Sequence, residues 1–268
     1  MCAGFMRKEE NIKTLLADTV VNDFPSKETY ILIGGSNANG NGLISSLSAH
    51  LKNPLDSCFI YVPCEFQVLD AGINNLGRQI STTKHGIEES FLDSMSIVRN
   101  NQIRMVKFGN GNTLLTNQWK PDDDAIANWT YTKVNNFLMT VLSVEAAKAN
   151  AYRDGVRLDI KAVIIFIGED DQTAAASPYY GSTLYSLITR LRTFLHNPNL
   201  KAIIIKTRID DAIYGPVVRT AEDSVAALEP TNIFTVETND LPGSTSVLLT
   251  SAQLVTVGYR VADICENF

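Results

Sequence analysis

The stretch Ile31-Leu-Ile-Gly-Gly-Ser-Asn-Ala-Asn-Gly-Asn-Gly42 decides how the chain folds. An aliphatic run breaks off in two glycines, and a single serine stands at the bend before more Gly and Asn. Such a run, with no polar alternation, reads as a strand buried on both faces, and the Gly/Asn tract reads as the turn that leaves the sheet. The same rhythm recurs outward from it. Strand-like runs occupy Tyr30 to Gly34, Cys58 to Val62, Ile103 to Phe108, Ala162 to Gly168, Ala202 to Ile209 and Asn232 to Glu237. AVIIFIG and AIIIKTRI, in the fourth and fifth of these, are aliphatic in the manner of parallel strands covered above and below. Between the runs lie amphipathic segments of helical length: Leu43 to Leu51, Ile87 to Asn100, Asn128 to Tyr152, Tyr179 to Leu195, Val217 to Leu228 and Ser251 to Cys265. Strand and helix alternate, which predicts an α/β fold with a parallel sheet and helices on both faces.

Composition limits what such a fold can do. The 268 residues, 45% of them hydrophobic, suffice for one large core, and no repeat or Pro-rich linker marks a division. The formal charge is −6, with 23 Lys/Arg against 29 Asp/Glu, so a broad phosphate-binding face is not expected, nor binding to nucleic acid or an anionic membrane. Cys2, Cys58, Cys64 and Cys265 contain no C-x-x-C pair and read as thiols. The charged N-terminus, MCAGFMRKEENIKTLLADTV, lacks the apolar core of a secretory signal, which points to a cytoplasmic chain or a component of a virion. The Gly-, Asn- and Asp-rich stretch from Phe108 to Asn128 is the longest loop-like segment, a form that often carries function.

In an open parallel sheet, ligands bind beyond the carboxyl ends of the strands, and ILIGGSN places Ser36 at such an end. A serine on a tight turn, followed by backbone N–H groups facing the site, has the layout of a nucleophile with oxyanion donors. Gly-Ser-Asn also makes ordinary turns, so Ser36 requires corroboration from the rest of the chain.

That corroboration is a series of motifs. GGSN at Gly34 to Asn37, HGIEESF at His85 to Phe91, VKFGNGNTLLTNQW at Val106 to Trp119, FIGEDD at Phe166 to Asp171, and TNDLP followed by VLLTSAQLVTVGYRVAD occur in the order and rough spacing of the sialate O-acetylesterase-like carbohydrate esterases. From Tyr30 onward the chain resembles this branch of the SGNH hydrolases. The resemblance implies a three-layer α/β/α sandwich with a flavodoxin-like, five-stranded parallel sheet over 30–268, and leaves 1–29 as an N-terminal arm or helix. It also implies a Ser-His-Asp esterase acting on acetylated carbohydrate without a cofactor, in which histidine deprotonates the serine and aspartate orients the histidine.

Position by position, the resemblance is incomplete. Ser36 matches the nucleophile, Gly111 matches the first glycine of a donor pair, and Asn112 stands where the second would be. Asp170 falls where Asn or Ser is expected beside the oxyanion, and an ionised carboxylate donates no hydrogen bond there. In the last motif, D-x-x-H, Thr245 replaces the aspartate and Leu248 the histidine. The only histidines are His50, His85 and His196. His196 is expected at a helix end on the wrong side of the sheet, and His50 near the end of the helix at Leu43 to Leu51. His85 remains as a displaced base or a structural polar residue.

Other polar groups carry two readings each. Glu169, Asp170 and Asp171 make a sugar-hydroxyl or cation site or a hydrogen-bonded loop, with no metal expected because adjacent carboxylates approach from one direction. Asp122 to Asp124 read as helix-capping residues. Trp119 and Trp129 form a stacking platform or fill the core. Asn37, His85, Asn112, Trp119 and Glu169 together outline a ligand cleft. The loss of the proton relay makes the leading expectation a catalytically silent domain serving as a structural or binding module. Its partners would be other protein subunits of a larger assembly, such as a phage tail or surface structure, or a carbohydrate. An esterase using Ser36 with a displaced base is the alternative.

Overall fold

The computed structural model describes residues 24–75, 82–121 and 135–268. Its strands are β1 (Ser26–Gly34), β2 (Gly42–Leu43), β3 (Leu55–Val62), β4 (Glu65–Leu69), β5 (Lys84–His85), β6 (Ile103–Gly109), β7 (Arg157–Phe166), β8 (Lys201–Ile205) and β9 (Ile233–Val236). The helices are α1 (Ser36–Asn39), α2 (Glu88–Arg99), α3 (Asn136–Arg153), α4 (Tyr180–Phe194), α5 (Tyr214–Leu228) and α6 (Ser251–Cys265). One sheet of seven strands runs β4-β3-β6-β1-β7-β8-β9. Within it, β6-β1-β7-β8-β9 is the expected five-stranded parallel core in flavodoxin-like order. The sheet is then extended by β3, parallel to β6, and by β4, antiparallel to β3. Sequence reasoning missed β4 because EFQVL has no aliphatic run to mark it.

Pleating divides the aliphatic strands between two cores. Tyr30, Leu32, Ile164 and Ile203 pack with Phe91 and Met95 of α2 and Leu254, Val257 and Val261 of α6. Ile31, Ile33, Val163 and Ile165 face the opposite way, onto Phe137 and Val144 of α3, Leu184 and Leu187 of α4 and Val218 and Val225 of α5. Three layers therefore follow directly from strands apolar on both faces.

The expected helix from Leu43 to Leu51 is not formed. Residues 42–43 pair with His85 and Lys84, a single 3₁₀ turn covers Ile44–Ser46, and turns follow. The reason is local: Ser48 Oγ accepts the Leu51 N–H, Asn53 donates to Ala49 O, and Lys52 reaches Ser45 O. Short polar side chains here offer the backbone an alternative to helix, while Leu47 and Leu51 are still buried. The reading of 1–29 as an arm falls almost wholly outside the described residues, and β1 already begins at Ser26. Cys58 and Cys265 are buried free thiols, and Cys64 is exposed. No described helix is long and apolar enough to cross a membrane.

The two helices of the first core meet closely. Thr250 and Gln253 form a reciprocal capping box that starts α6. At the middle of that helix, Gly258 lies against α2, where an added Cβ would overlap Ser90 Oγ and come within 2.6 Å of Ile87 O. Gly258→Ala should therefore destabilise the fold by about 1–3 kcal/mol through overpacking, outweighing the gain of about 1 kcal/mol that alanine brings at an open helical site. Urea midpoints of the two proteins measure it, and an unchanged or raised midpoint would contradict this packing.

Candidate active site

The Ser36 turn is wedged between two strand ends. Asn110 N–H donates to Gly34 O at 3.0 Å and Gly35 N–H donates to Phe166 O at 2.9 Å, tying the end of β1 to β6 and β7. This is where the sheet order reverses direction, the switch point at which α/β sheets bind ligands. A side chain at position 34 would collide with the Phe166 carbonyl, so the first glycine of GGSN is set by this close approach. Ser36, half-buried, opens α1, and Asn112 N–H donates to its Oγ at 3.3 Å. The backbone donor is thus Asn112 rather than Gly111, which is buried one residue earlier. Asn112 has φ 55°, a left-handed conformation that asparagine tolerates better than most side chains, so it substitutes where a glycine would serve.

Asn37 joins the turn to the rest of the site. Its N–H donates to Glu169 Oε1 at 3.0 Å, its Nδ2 donates to Val247 O at 3.0 Å, and its Oδ1 accepts Leu249 N–H at 2.9 Å. The amide expected to face a ligand is therefore spent on holding residues 247–249 against the serine turn. Leu248 lies between the two anchors and is 41% exposed, while Thr245 is exposed in the preceding loop. Residues 247–249 are thus tied to the serine turn, and neither Leu248 nor Thr245 carries a group that can relay a proton.

The acidic cluster proves to be a hydrogen-bonded loop. Asp171 is buried, and its carboxylate accepts the Leu115 and Thr116 N–H groups at 2.8 and 3.1 Å, fixing the loop that carries Asn112. Asp170, exposed, accepts the Thr113 N–H in the same loop, and partial desolvation raises its pKa. Glu169 is buried, with Oε2 lacking a hydrogen-bond partner. Among the described residues, no group of three or more His, Cys, Asp or Glu side chains is placed to hold a metal ion.

For two residues of the expected cleft, the structural alternative holds. Trp119 is not a platform for sugar: it is fully buried, stacks edge-on against Phe108 at 5.8 Å and donates Nε1–H to Thr113 Oγ1. His85 is not brought to Ser36. It is 1% exposed, with Nδ1 2.8 Å from Gly86 O and Nε2 2.5 Å from Ser251 Oγ. His50 lies in a turn rather than a helix and bonds to Asp93 Oδ1 at 2.8 Å, and His196 follows the end of α4 with φ 52°. Trp129 and Asp122 to Asp124 fall outside the described residues. Sequence reasoning missed Asp171 as the anchor of the donor loop and Ser251 as the partner of His85. Ser251 carried a weak signal, as the residue directly after Thr250 within the Thr-x-x-Gln capping pattern.

Burial raises the Glu169 pKa from 4.5 to about 7, against the stabilising bond from Asn37 N–H. The folded chain holds this proton more tightly than the unfolded one, so its contribution to stability is full below the unfolded value near 4.5 and is lost as pH rises toward 7. The slope for one such group approaches about 1.4 kcal/mol per pH unit. Buried Glu89 and Glu222, also raised, add to the same trend. Glu169→Gln keeps the acceptor for Asn37 and removes the charge, so its urea midpoint should fall less between pH 5 and 7 than that of the unaltered protein. Equal slopes would show that Glu169 is ionised throughout.

Comparison with known proteins agrees with the architecture. Residues 26–267 match the family model of the carbohydrate esterase, sialic acid-specific acetylesterase. No curated protein sequence matches the chain. Among solved structures, a protein from Arabidopsis thaliana superposes with a TM-score of 0.71 at 20% identity, covering 91% of this chain and 99% of that one. NanS superposes with a TM-score of 0.60 at 12% identity, covering 91% and 98% of the two chains. A carbohydrate acetylesterase from Xanthomonas citri gives 0.60 at 13%, covering 87% of this chain and 55% of its own. At these identities the structures show a shared fold, and the family assignment rests on the model match across nearly the whole sequence. The chain belongs to the carbohydrate esterase family of sialic acid-specific acetylesterases.

Proposed function

We propose that the Ser36 cleft is a binding site derived from an esterase centre, which takes an acylated carbohydrate without cleaving it through Ser36. What supports this reading is that Asn37 ties Val247 and Leu249 to the serine turn, and the residue between them, at the position matched to the family's histidine, is Leu248. A serine hydroxyl without a neighbouring base is a poor nucleophile near neutral pH. Thr245 offers no carboxylate to orient an imidazole, and Asp170 places a carboxyl group on the donor loop. What remains is suited to recognition: the Asn112 N–H, the Ser36 hydroxyl and a rigid frame set by Asn37 and Asp171. The same loss of a relay supports a scaffold role within a larger assembly, for which the domain faces supply the contact area.

The unaltered protein should therefore hydrolyse p-nitrophenyl acetate and O-acetylated sugars no faster than its Ser36→Ala variant. Turnover that disappears with Ser36 would overturn the reading. Calorimetric titration with an O-acetylated sialic acid should show saturable binding that weakens when the Asn112 loop is loosened by Asp171→Asn, and absence of heat would remove carbohydrate as the ligand.

The converse substitution tests the geometry. Thr245→Asp combined with Leu248→His supplies the absent pair in the loop whose residues 247 and 249 are bonded to Asn37, and general-base assistance is worth about 10²–10⁴-fold. The double variant should gain esterase activity that vanishes when Ser36→Ala is added. No gain in a folded double variant would mean that residues 245–248 do not face Ser36.

A further inference from the structure

Outside the Ser36 turn, a second serine is better equipped for chemistry. Ser251 is the first residue of α6 and lines a cleft of about 500 Å³ together with Asn41, Leu43, Lys84, Leu248 and Thr250. Its Oγ lies 2.5 Å from His85 Nε2. The other ring nitrogen, Nδ1, lies 2.8 Å from the Gly86 carbonyl. A carbonyl oxygen only accepts, so Nδ1 carries the hydrogen. In the neutral imidazole, Nε2 then presents its lone pair to the Ser251 hydroxyl, which is the tautomer required of a general base. Glu89 Oε2 stands 3.6 Å from Nδ1, beyond hydrogen-bond distance, so the Gly86 carbonyl orients the ring and Glu89 acts on it through its field alone.

The surroundings hold this arrangement in place. Glu89 Oε1 accepts from Asn75 Nδ2 at 2.5 Å, and neighbouring Glu88 pairs with Lys107 Nζ at 2.8 Å, both carboxylates being buried. Gly42, opposite the ring, leaves room for it: a Cβ there would lie 2.5 Å from Nε2. The capping box occupies the N–H groups of Thr250 and Gln253. The N–H groups of Ser251 and Ala252 belong to the same first turn and have no acceptor within the helix, so they can receive negative charge developing beside Ser251. Ser36 lacks such a base, as described above.

We propose that Ser251 is a reactive nucleophile with His85 as its base, accepting the acyl group of a small ester from the cleft beside the Ser36 turn. Ser251 Oγ attacks the ester carbonyl as its proton passes to His85 Nε2. The bond from carbonyl carbon to the alcohol oxygen then breaks, and the alcohol leaves with the proton from Nε2. Water repeats the sequence on the acyl-serine, releasing the carboxylic acid and restoring Ser251. The apolar wall of Leu43 and Leu248 suits a short acyl chain. This proposal goes beyond the function assigned to the Ser36 cleft and does not depend on it.

Burial of His85 opposes its charged form, but Glu89, Glu88 and the Gly86 carbonyl outweigh burial and raise its pKa. The charged groups around it are Glu88 and Glu89 of α2, Lys107 of β6 facing Glu88, and Lys84 beside it in β5, whose Nζ is held by Asn41 O. The base is therefore disarmed at low pH and gains strength as pH rises.

The test uses the full chain and a fluorophosphonate, with the adduct located by peptide mass spectrometry. The expected adduct is on Ser251, present in the unaltered protein and in Ser36→Ala, absent in Ser251→Ala, and formed about 10²-fold or more slowly in His85→Gln. The labelling rate of the unaltered chain should rise with pH as His85 loses its proton, a readout independent of whether the His85 variant folds. A folded protein whose Ser251 stays unmodified, a labelling rate that is flat with pH, or an adduct confined to Ser36 would overturn the proposal. Ester turnover that disappears in Ser36→Ala while Ser251 labelling is intact would fault the reading of the first cleft alone.

Discussion

Asn37 is the residue on which the site depends. Its backbone donates to a buried carboxyl at the end of β7, and its side-chain amide bridges the carbonyl of Val247 and the N–H of Leu249 more than two hundred residues away in sequence. Both ends of the amide are used, so the short helix after β1 and the loop before α6 cannot drift apart without leaving buried polar groups unpaired. Such groups cost roughly 1–3 kcal/mol each when stranded. The same clamp fixes the segment that carries Leu248, a side chain with no group to accept a proton. Asp171 performs the matching task on the other side, securing the loop that brings Asn112 to Ser36.

The fold was legible in the sequence wherever burial on two faces forced an uninterrupted aliphatic run. All six runs became strands, and the parallel core, with helices on both sides, followed from their alternation with amphipathic segments. Legibility failed where local chemistry competed with pattern. Leu43, Leu47 and Leu51 have helical spacing, yet the serines and asparagines among them satisfy the backbone in turns. Strand β4 lies at the sheet edge, paired on one side, and needs no aliphatic run to form.

The site divided along a similar line. The placement of Ser36 at a strand end could be read from its neighbours in sequence, whereas the donor to its hydroxyl is Asn112 and not the matched glycine, Gly111. Long-range roles could not: nothing near Trp119 announces that its indole is sealed beneath Phe108, and nothing near His85 points to a hydroxyl 166 residues later. The acidic triplet was ambiguous because the partners that explain it, backbone N–H groups of Asn37, Thr113, Leu115 and Thr116, lie on other segments.

The position of β1 in the middle of the sheet has a consequence for biosynthesis. Thr29 pairs with Arg104 on one side and with Ile160 on the other, so this aliphatic strand is synthesised before either neighbour and must wait for both. At translation rates of about 5–20 residues per second, that delay is on the order of ten seconds. Throughout it, Tyr30 to Ile33 are a naked aliphatic segment with two open hydrogen-bonding edges, a substrate for chaperones and a seed for association between nascent chains. Synthesis of this domain is thus most vulnerable before β7 closes the centre of the sheet, while that segment is unshielded.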